Sequence, residues 1–161
     1  MEDEKVYDIS LIKSRLISYR EREVDIDLQI ERLDRLETRL HSIGSPNFSD
    51  MPKTQSHVHD RTADLIIQKI ELEESIQDMV NSQLEERKYF EQLLQMLKSS
   101  EERAVIRMRY FDSSSWDNVT DMMFGSKNDF LNKEDTYLRR VHRIHTSALR
   151  NLTILITEKG L

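Results

Sequence analysis

The residues best suited to chemistry in this 161-residue chain gather near its C-terminus, in Tyr137-Leu-Arg-Arg-Val-His-Arg-Ile-His145. If helical spacing turns Leu138, Val141, Ile144 and Ala148 inward, then Thr136, Tyr137, Arg139, Arg140, His142 and Arg143 face outward near the helix start. Such a helix fits a major groove, where an arginine can bond guanine through two N–H groups at once. Asp135 or Asn132 is the expected N-cap, and the amides of a first helical turn favour a phosphate. An arginine cluster of this size is equally compatible with a solvated helix face. The surroundings must decide.

Other constellations point nowhere as strongly. His57-Val-His59-Asp60 offers two imidazoles and one carboxylate, fewer than the four ligands of a structural zinc site. His142 and His145 stand three apart, but packing or a DNA-facing role suits them better than a metal. The chain has no cysteine, which excludes disulfides, thiolate metal sites and cysteine nucleophiles. No nucleophile–base pair, glycine-rich phosphate loop or paired carboxylate stands out, and Trp116 reads as a core anchor. No enzyme activity, cofactor or metal is expected.

A net charge of −6 argues against nucleic acid until its distribution is considered. Residues 1–60 carry 9 basic and 13 acidic groups, 61–99 carry 5 and 8, and 100–161 carry 10 and 9. Within 136–150 there are four arginines and no acid. A basic stripe lies inside an acidic chain.

The elements that must position this stripe are helical. Three glycines and two prolines leave few turns, and 34% charged residues suit long helices with solvated faces. From about Asp8 to His41, Ile9, Ile12, Leu16, Tyr19, Ile26, Ile30, Leu33 and Leu40 form a seam of period 3.5, interrupted by Glu23 and Glu37. Gly44-Ser-Pro46 should stop this helix, and 44–59 reads as a loop. A second helix is expected over about 60–97. Leu65, Ile66, Ile70, Leu72, Ile76, Met79, Val80, Leu84, Phe90, Leu93, Leu94 and Leu97 give it an apolar face wider than one partner needs. The two should pair antiparallel, with the surplus width meeting a further helix or a second protomer.

At Ser99-Ser-Glu-Glu102 a capping box announces a fresh start. A helix to Phe111 should bury Ala104, Val105, Met108 and Phe111, and Asp112-Ser-Ser-Ser115 is a turn. Trp116–Met123 should bury Trp116, Val119, Met122 and Met123, and a last helix over 135–157 should bury Leu149, Leu152 and Leu155 or Ile156 as well. Three helices ending in an arginine-bearing one outline a helix-turn-helix. The expected class is all-α: a long antiparallel coiled-coil hairpin over 1–98, then a helix-turn-helix domain over 99–161.

The segments Glu102-Arg-Ala-Val-Ile-Arg-Met-Arg-Tyr-Phe111 and Ser115-Trp-Asp-Asn-Val-Thr-Asp-Met-Met123 resemble the sigma-factor region-four pattern, in which an "RYF" helix precedes a "(S/T)WEEIA" helix. Arg139-Arg-Val-His-Arg-Ile-His-Thr-Ser-Ala-Leu149 is similar to the recognition helix of ArpU/RinA-type late regulators of phages infecting Gram-positive bacteria. Ser45-Pro-Asn-Phe-Ser-Asp-Met-Pro-Lys53, Asp60-Arg61 and Ile70-Glu-Leu-Glu-Glu74 are similar to that family's linker and second helix. The resemblance implies a sequence-specific, DNA-binding activator of late phage genes that works with host RNA polymerase. It implies Thr136, Tyr137, Arg139, Arg140, His142 and Arg143 as the reading residues.

One departure is plain: Lys127–Thr136 inserts about ten residues before the recognition helix, where it could touch DNA or cover apolar surface with Phe130 and Leu131. The expected partners are double-stranded DNA, host RNA polymerase and a second copy of the chain through the helical arm. An acidic N-terminus and the lack of a long apolar run imply no signal peptide and no membrane span, hence a cytoplasmic protein of the bacterial host cell. The alternative class is a coiled-coil adaptor whose helix-turn-helix-like domain binds protein, favoured by Asp117, Asp121, Asp129 and Glu134 near the basic face.

Overall fold

A computed structural model describes residues 8–43 and 56–160, without the side chains of 56–60. The expected helix stop at Gly44-Ser-Pro46, loop residues 44–55, and the side chains of His57, His59 and Asp60 lie outside the described residues. Among those described, every regular element is a helix: α1 (Ile9–Ile43), α2 (Ser56–Met96), α3 (Ser100–Ile106), α4 (Trp116–Phe124) and α5 (Glu134–Lys159). A π-turn over Arg107–Phe111 extends α3, and a 3-10 turn over Phe130–Asn132 precedes α5. The expected all-α class is what the chain adopts. Helix α2 starts at Ser56, inside the expected loop.

The chain forms two compact units: Arg22–Glu85, and the residues up to Glu21 together with those from Glu86 onward. The division expected at 98/99 falls at the junction of α2 and α3. The compact unit that holds α3–α5 also takes in the first turns of α1 and the last turns of α2.

Within Arg22–Glu85, α1 and α2 run antiparallel. Lys69 Nζ meets Glu37 Oε1 at 3.0 Å, and Arg22 Nε donates to Gln83 Oε1 at 3.3 Å. Leu36, Leu65 and Leu72 are buried together, flanked by Leu33, Leu40 and Ile76. Ile30, placed in the seam by its period of 3.5, is 47% exposed, whereas Leu36 is buried. A helix of 3.6 residues per turn drifts against a strict heptad, so the inner row passes from Ile26 to Leu36 and Glu37 turns aside to its lysine. Ile66, Ile70 and Leu84, expected to be inward, are exposed.

The other unit surrounds two cores. In one, Ile12, Leu16 and Tyr19 of α1 join Phe90, Leu93, Leu94 and Leu97 of α2, Ile106, Tyr110 and Phe111, and Ala148, Leu149 and Leu152 of α5. Tyr19 packs edge-on against Phe90 and Phe111, with ring centroids 5.8 and 5.4 Å away. The second core joins Val105, Met108, Val119, Phe124, Phe130 and Val141. Helix α3 and its π-turn thus bury side chains in both cores, which adds Ile106 and Tyr110 to the expected inward set. The wider i→i−5 turn, closed by Asp112 N–H on the Arg107 carbonyl at 3.0 Å, lets Tyr110 and Phe111 enter one core side by side. Met122, expected inward, is 67% exposed; Thr120 and Phe124 are buried in α4 instead.

Candidate nucleic-acid interface

Helix α5 is set by what its inner face touches. Val141, His145, Ala148, Leu149 and Leu152 are buried, and this leaves Thr136, Arg139, Arg143, Thr146 and Arg150 along the exposed face. Successive members lie three or four residues apart, so they form one continuous row. Among the described residues no carboxylate forms a salt bridge with Arg139, Arg143 or Arg150, whereas Arg15, Arg35, Lys69, Arg87, Arg107, Lys133 and Arg140 each have at least one. His142, Arg143, Thr146, Ser147 and Arg150 line an open, shallow groove of about 340 Å³.

Not all six expected reading residues share this face. Tyr137 is half-buried: its ring stacks on Phe124 at 5.1 Å and lies 5.7 Å from Phe130, and its hydroxyl donates to Asp129 Oδ1 at 2.7 Å. That bond raises the Tyr137 pKa and, with Lys133, lowers that of Asp129. Arg140 leans the other way, over the Phe124 ring at 4.8 Å and onto Glu101 at 3.3 Å. His142 is exposed at the edge of the row with its ring 4.6 Å from Trp116. Thr136, Arg139 and Arg143 keep open positions.

The helix start differs from expectation. Lys133 occupies the N-cap position and no side chain caps the turn, so neither Asp135 nor Asn132 plays that part. Glu134 and Asp135 occupy the first turn, where carboxylates suit the helix dipole but repel a phosphate. The inserted segment is resolved in part by its aromatic residue. Phe130 is buried against Phe124 and Tyr137, while Leu131 is 83% exposed. The insertion thus covers apolar surface through Phe130 alone.

Behind the row lies a polar layer that the sequence pattern did not single out. Glu102 is only 7% exposed and accepts from Ser147 Oγ at 2.6 Å and Asn151 Nδ2 at 3.0 Å. It ties α3 to α5. Ser99 Oγ accepts from the Glu102 amide at 3.3 Å, so half of the expected capping box forms and the Glu102 side chain goes elsewhere. The other member is His145, 6% exposed, with Nε2 2.9 Å from the Tyr110 hydroxyl and its ring 4.8 Å from Trp116. Burial, together with Lys13, His142 and Arg109 nearby, lowers its pKa to about 4. It is therefore neutral near pH 7 and belongs to the core. Its signal in sequence is its position four residues after Val141 and four before Leu149.

Fold and site together define an all-α protein with a helical pair and a three-helix module, whose α5 carries a basic face that no described carboxylate neutralises. The family model described as "Protein of unknown function (DUF1492)" matches residues 43–142, well over half of the chain, and the protein belongs to that family. The match takes in the 127–136 segment, Arg139 and Arg140, and ends at His142. No curated protein and no solved structure matches the chain. Among the described residues no helix is long and apolar enough to cross a membrane, and no group of three or more His, Asp or Glu could hold a metal ion.

Proposed function

We propose that the protein is a sequence-specific DNA-binding transcriptional regulator, an activator of late phage genes that acts with host RNA polymerase. The observation that carries this reading is the α5 row of Arg139, Arg143 and Arg150, which no described carboxylate neutralises in a chain of net charge −6. Arginines held apart from acids on a helix face can meet phosphates and guanine edges. The resemblance to sigma region four and to ArpU/RinA-type regulators supplies the promoter context. The role is binding, not catalysis, and needs no cofactor.

In this reading Arg139 and Arg143, with Thr136 and His142 beside them, read the groove. Tyr137 and Arg140 hold the helix start in place. The unit Arg22–Glu85 serves self-association, because Ile66, Ile70 and Leu84 stay exposed on α2, with Leu84 five whole turns beyond Ile66.

The double variant Arg139→Ala/Arg143→Ala should lose operator retention in a gel shift with unchanged helicity, at a cost of roughly 1–3 kcal/mol per base-contacting arginine. Unchanged retention would refute the assignment of α5 as the reader. The adaptor reading is favoured by the Arg140–Glu101 pair and by Glu134 and Asp135 at the helix start. It predicts no affinity for duplex DNA even at low salt.

A further inference from the structure

A second set of cations lies outside the α5 row. Arg109, in the π-turn, sits with its guanidinium 4.7 Å over the Trp116 ring and donates to the Ser114 carbonyl at 2.8 Å. Trp116 also holds His142, so Arg109 and the edge of α5 flank one indole. Helix α1 approaches from the other direction. Ile12, Leu16 and Tyr19 share a core with Tyr110, Phe111, Ala148 and Leu149, which brings Lys13 and Arg20 alongside the same region. Lys13 and Arg20 are seven residues apart and so lie on one side of α1. Neither forms a salt bridge with a described carboxylate, and Lys13 is exposed. Burial and, after it, Lys13, His142 and Arg109 disfavour a proton on His145, and burial and, after it, Arg20 disfavour the charge on Arg109.

Like charges crowded without a carboxylate destabilise a free protein, and a polyanion relieves them. We propose that Lys13 and Arg20 of α1, with Arg109 of the π-turn, form a phosphate-contacting flank that continues the α5 face onto the first helix, so that the duplex backbone is gripped from two elements. This rests on the DNA-binding reading above and deepens it. Arg109 is fixed by the indole and the Ser114 carbonyl, so it presents its charge at little further cost in side-chain entropy. Lys13 is a compact charge on a flexible stem, and contacts that it and Arg20 make to phosphates position the duplex without carrying sequence information. The flank would strengthen binding to every duplex alike, and α5 would choose among sequences.

The test is the salt dependence of duplex affinity, measured by fluorescence anisotropy on the full chain with a labelled random-sequence duplex and a bound genomic fragment. Each phosphate contact contributes roughly 0.9 to the slope of log K against log salt. Lys13→Ala/Arg20→Ala should therefore lower the slope by about 2, equally on both duplexes, with a melting temperature no lower than the parent's. Lys13→Arg/Arg20→Lys should restore it. A slope unchanged in the alanine variant, while Arg139→Ala/Arg143→Ala still weakens binding, overturns the flank and leaves the DNA-binding reading standing. No binding by the parent chain at low salt overturns both.

Discussion

At the scale of single residues, the two histidines of the basic segment have opposite fates three positions apart. His142 stands exposed beside Trp116, and His145 is buried against Tyr110 and Trp116. The His145 pKa of about 4 lies below its ordinary value of 6.5, chiefly because burial disfavours the cation. In the unfolded chain this imidazole takes a proton as pH falls through about 6.5. In the folded chain it does not until about 4, so between those values the unfolded state binds more protons and stability drops with acidification. The expected loss from His145 is roughly 1.5 kcal/mol between pH 6.5 and 5. Urea melts at the two pH values should show it, and His145→Gln should shrink the difference by that amount. An undiminished difference in the variant would place the pH dependence on other groups. Tyr137 is instructive in another way. Its type and place suggest a reading residue, yet an aromatic ring next to Phe124 and Phe130 gains more from burial than from solvent.

At the scale of elements, backbone strain and surplus apolar surface lie in different places. Two residues beyond the π-turn, Ser113 has a φ of 52°, in the left-handed region. A residue with a Cβ pays roughly 1–2 kcal/mol there, part of which glycine would recover after its own entropic cost. Ser113→Gly should raise the unfolding free energy by about 0.5 kcal/mol or more, read by chemical denaturation; a decrease would show that the serine makes a compensating contribution. By contrast, Gly160 at φ 64° closes α5 where a left-handed cap is expected, its N–H bonded to the Ile156 carbonyl. On α2, the exposed Ile66 and Ile70 carry the self-association reading. Sedimentation should give a dimer for the parent chain and a monomer for Ile66→Glu/Ile70→Glu, without loss of helicity. A monomeric parent chain would remove this role from the helical pair.

The helical class was legible because spacing alone separates long amphipathic stretches from strands, and because so few glycines and prolines interrupt them. The antiparallel pairing and the N-cap at Ser99 were legible too, from turn length and from the serine before Glu102. Other features depend on contacts between distant residues. Glu102 completes a capping box by pattern, but Ser147 and Asn151, 45 and 49 residues away, offer it a buried pair of donors and win. The seam of α1 follows the 3.6-residue turn over the heptad spacing, which moves Ile30 outward and Leu36 inward. Of the candidate site, Arg139, Arg143 and Thr136 were found by their spacing. The part played by Arg109, Lys13 and Arg20 was hidden, because only packing brings the start of α1 to the π-turn.

At the scale of the whole molecule, the account depends on where charge is neutralised rather than on its sum. Most arginines and lysines with described salt bridges serve the helices they sit on or the pairing of α1 with α2; those on the exposed α5 face are left over. A net charge of −6 weakens long-range attraction to DNA, and short-range contacts must outweigh it. The binding of duplex DNA by the intact chain, followed by anisotropy from low salt upward, therefore decides whether the exposed α5 arginines meet a nucleic acid. DNA binding by the α5 face predicts measurable affinity at low salt, a steep fall as salt rises, and in Arg139→Ala/Arg143→Ala a loss of roughly 1–3 kcal/mol of affinity per arginine for a bound genomic fragment. A folded chain that shows no affinity for duplex DNA at low salt, or an affinity for that fragment indifferent to those two arginines, would contradict it.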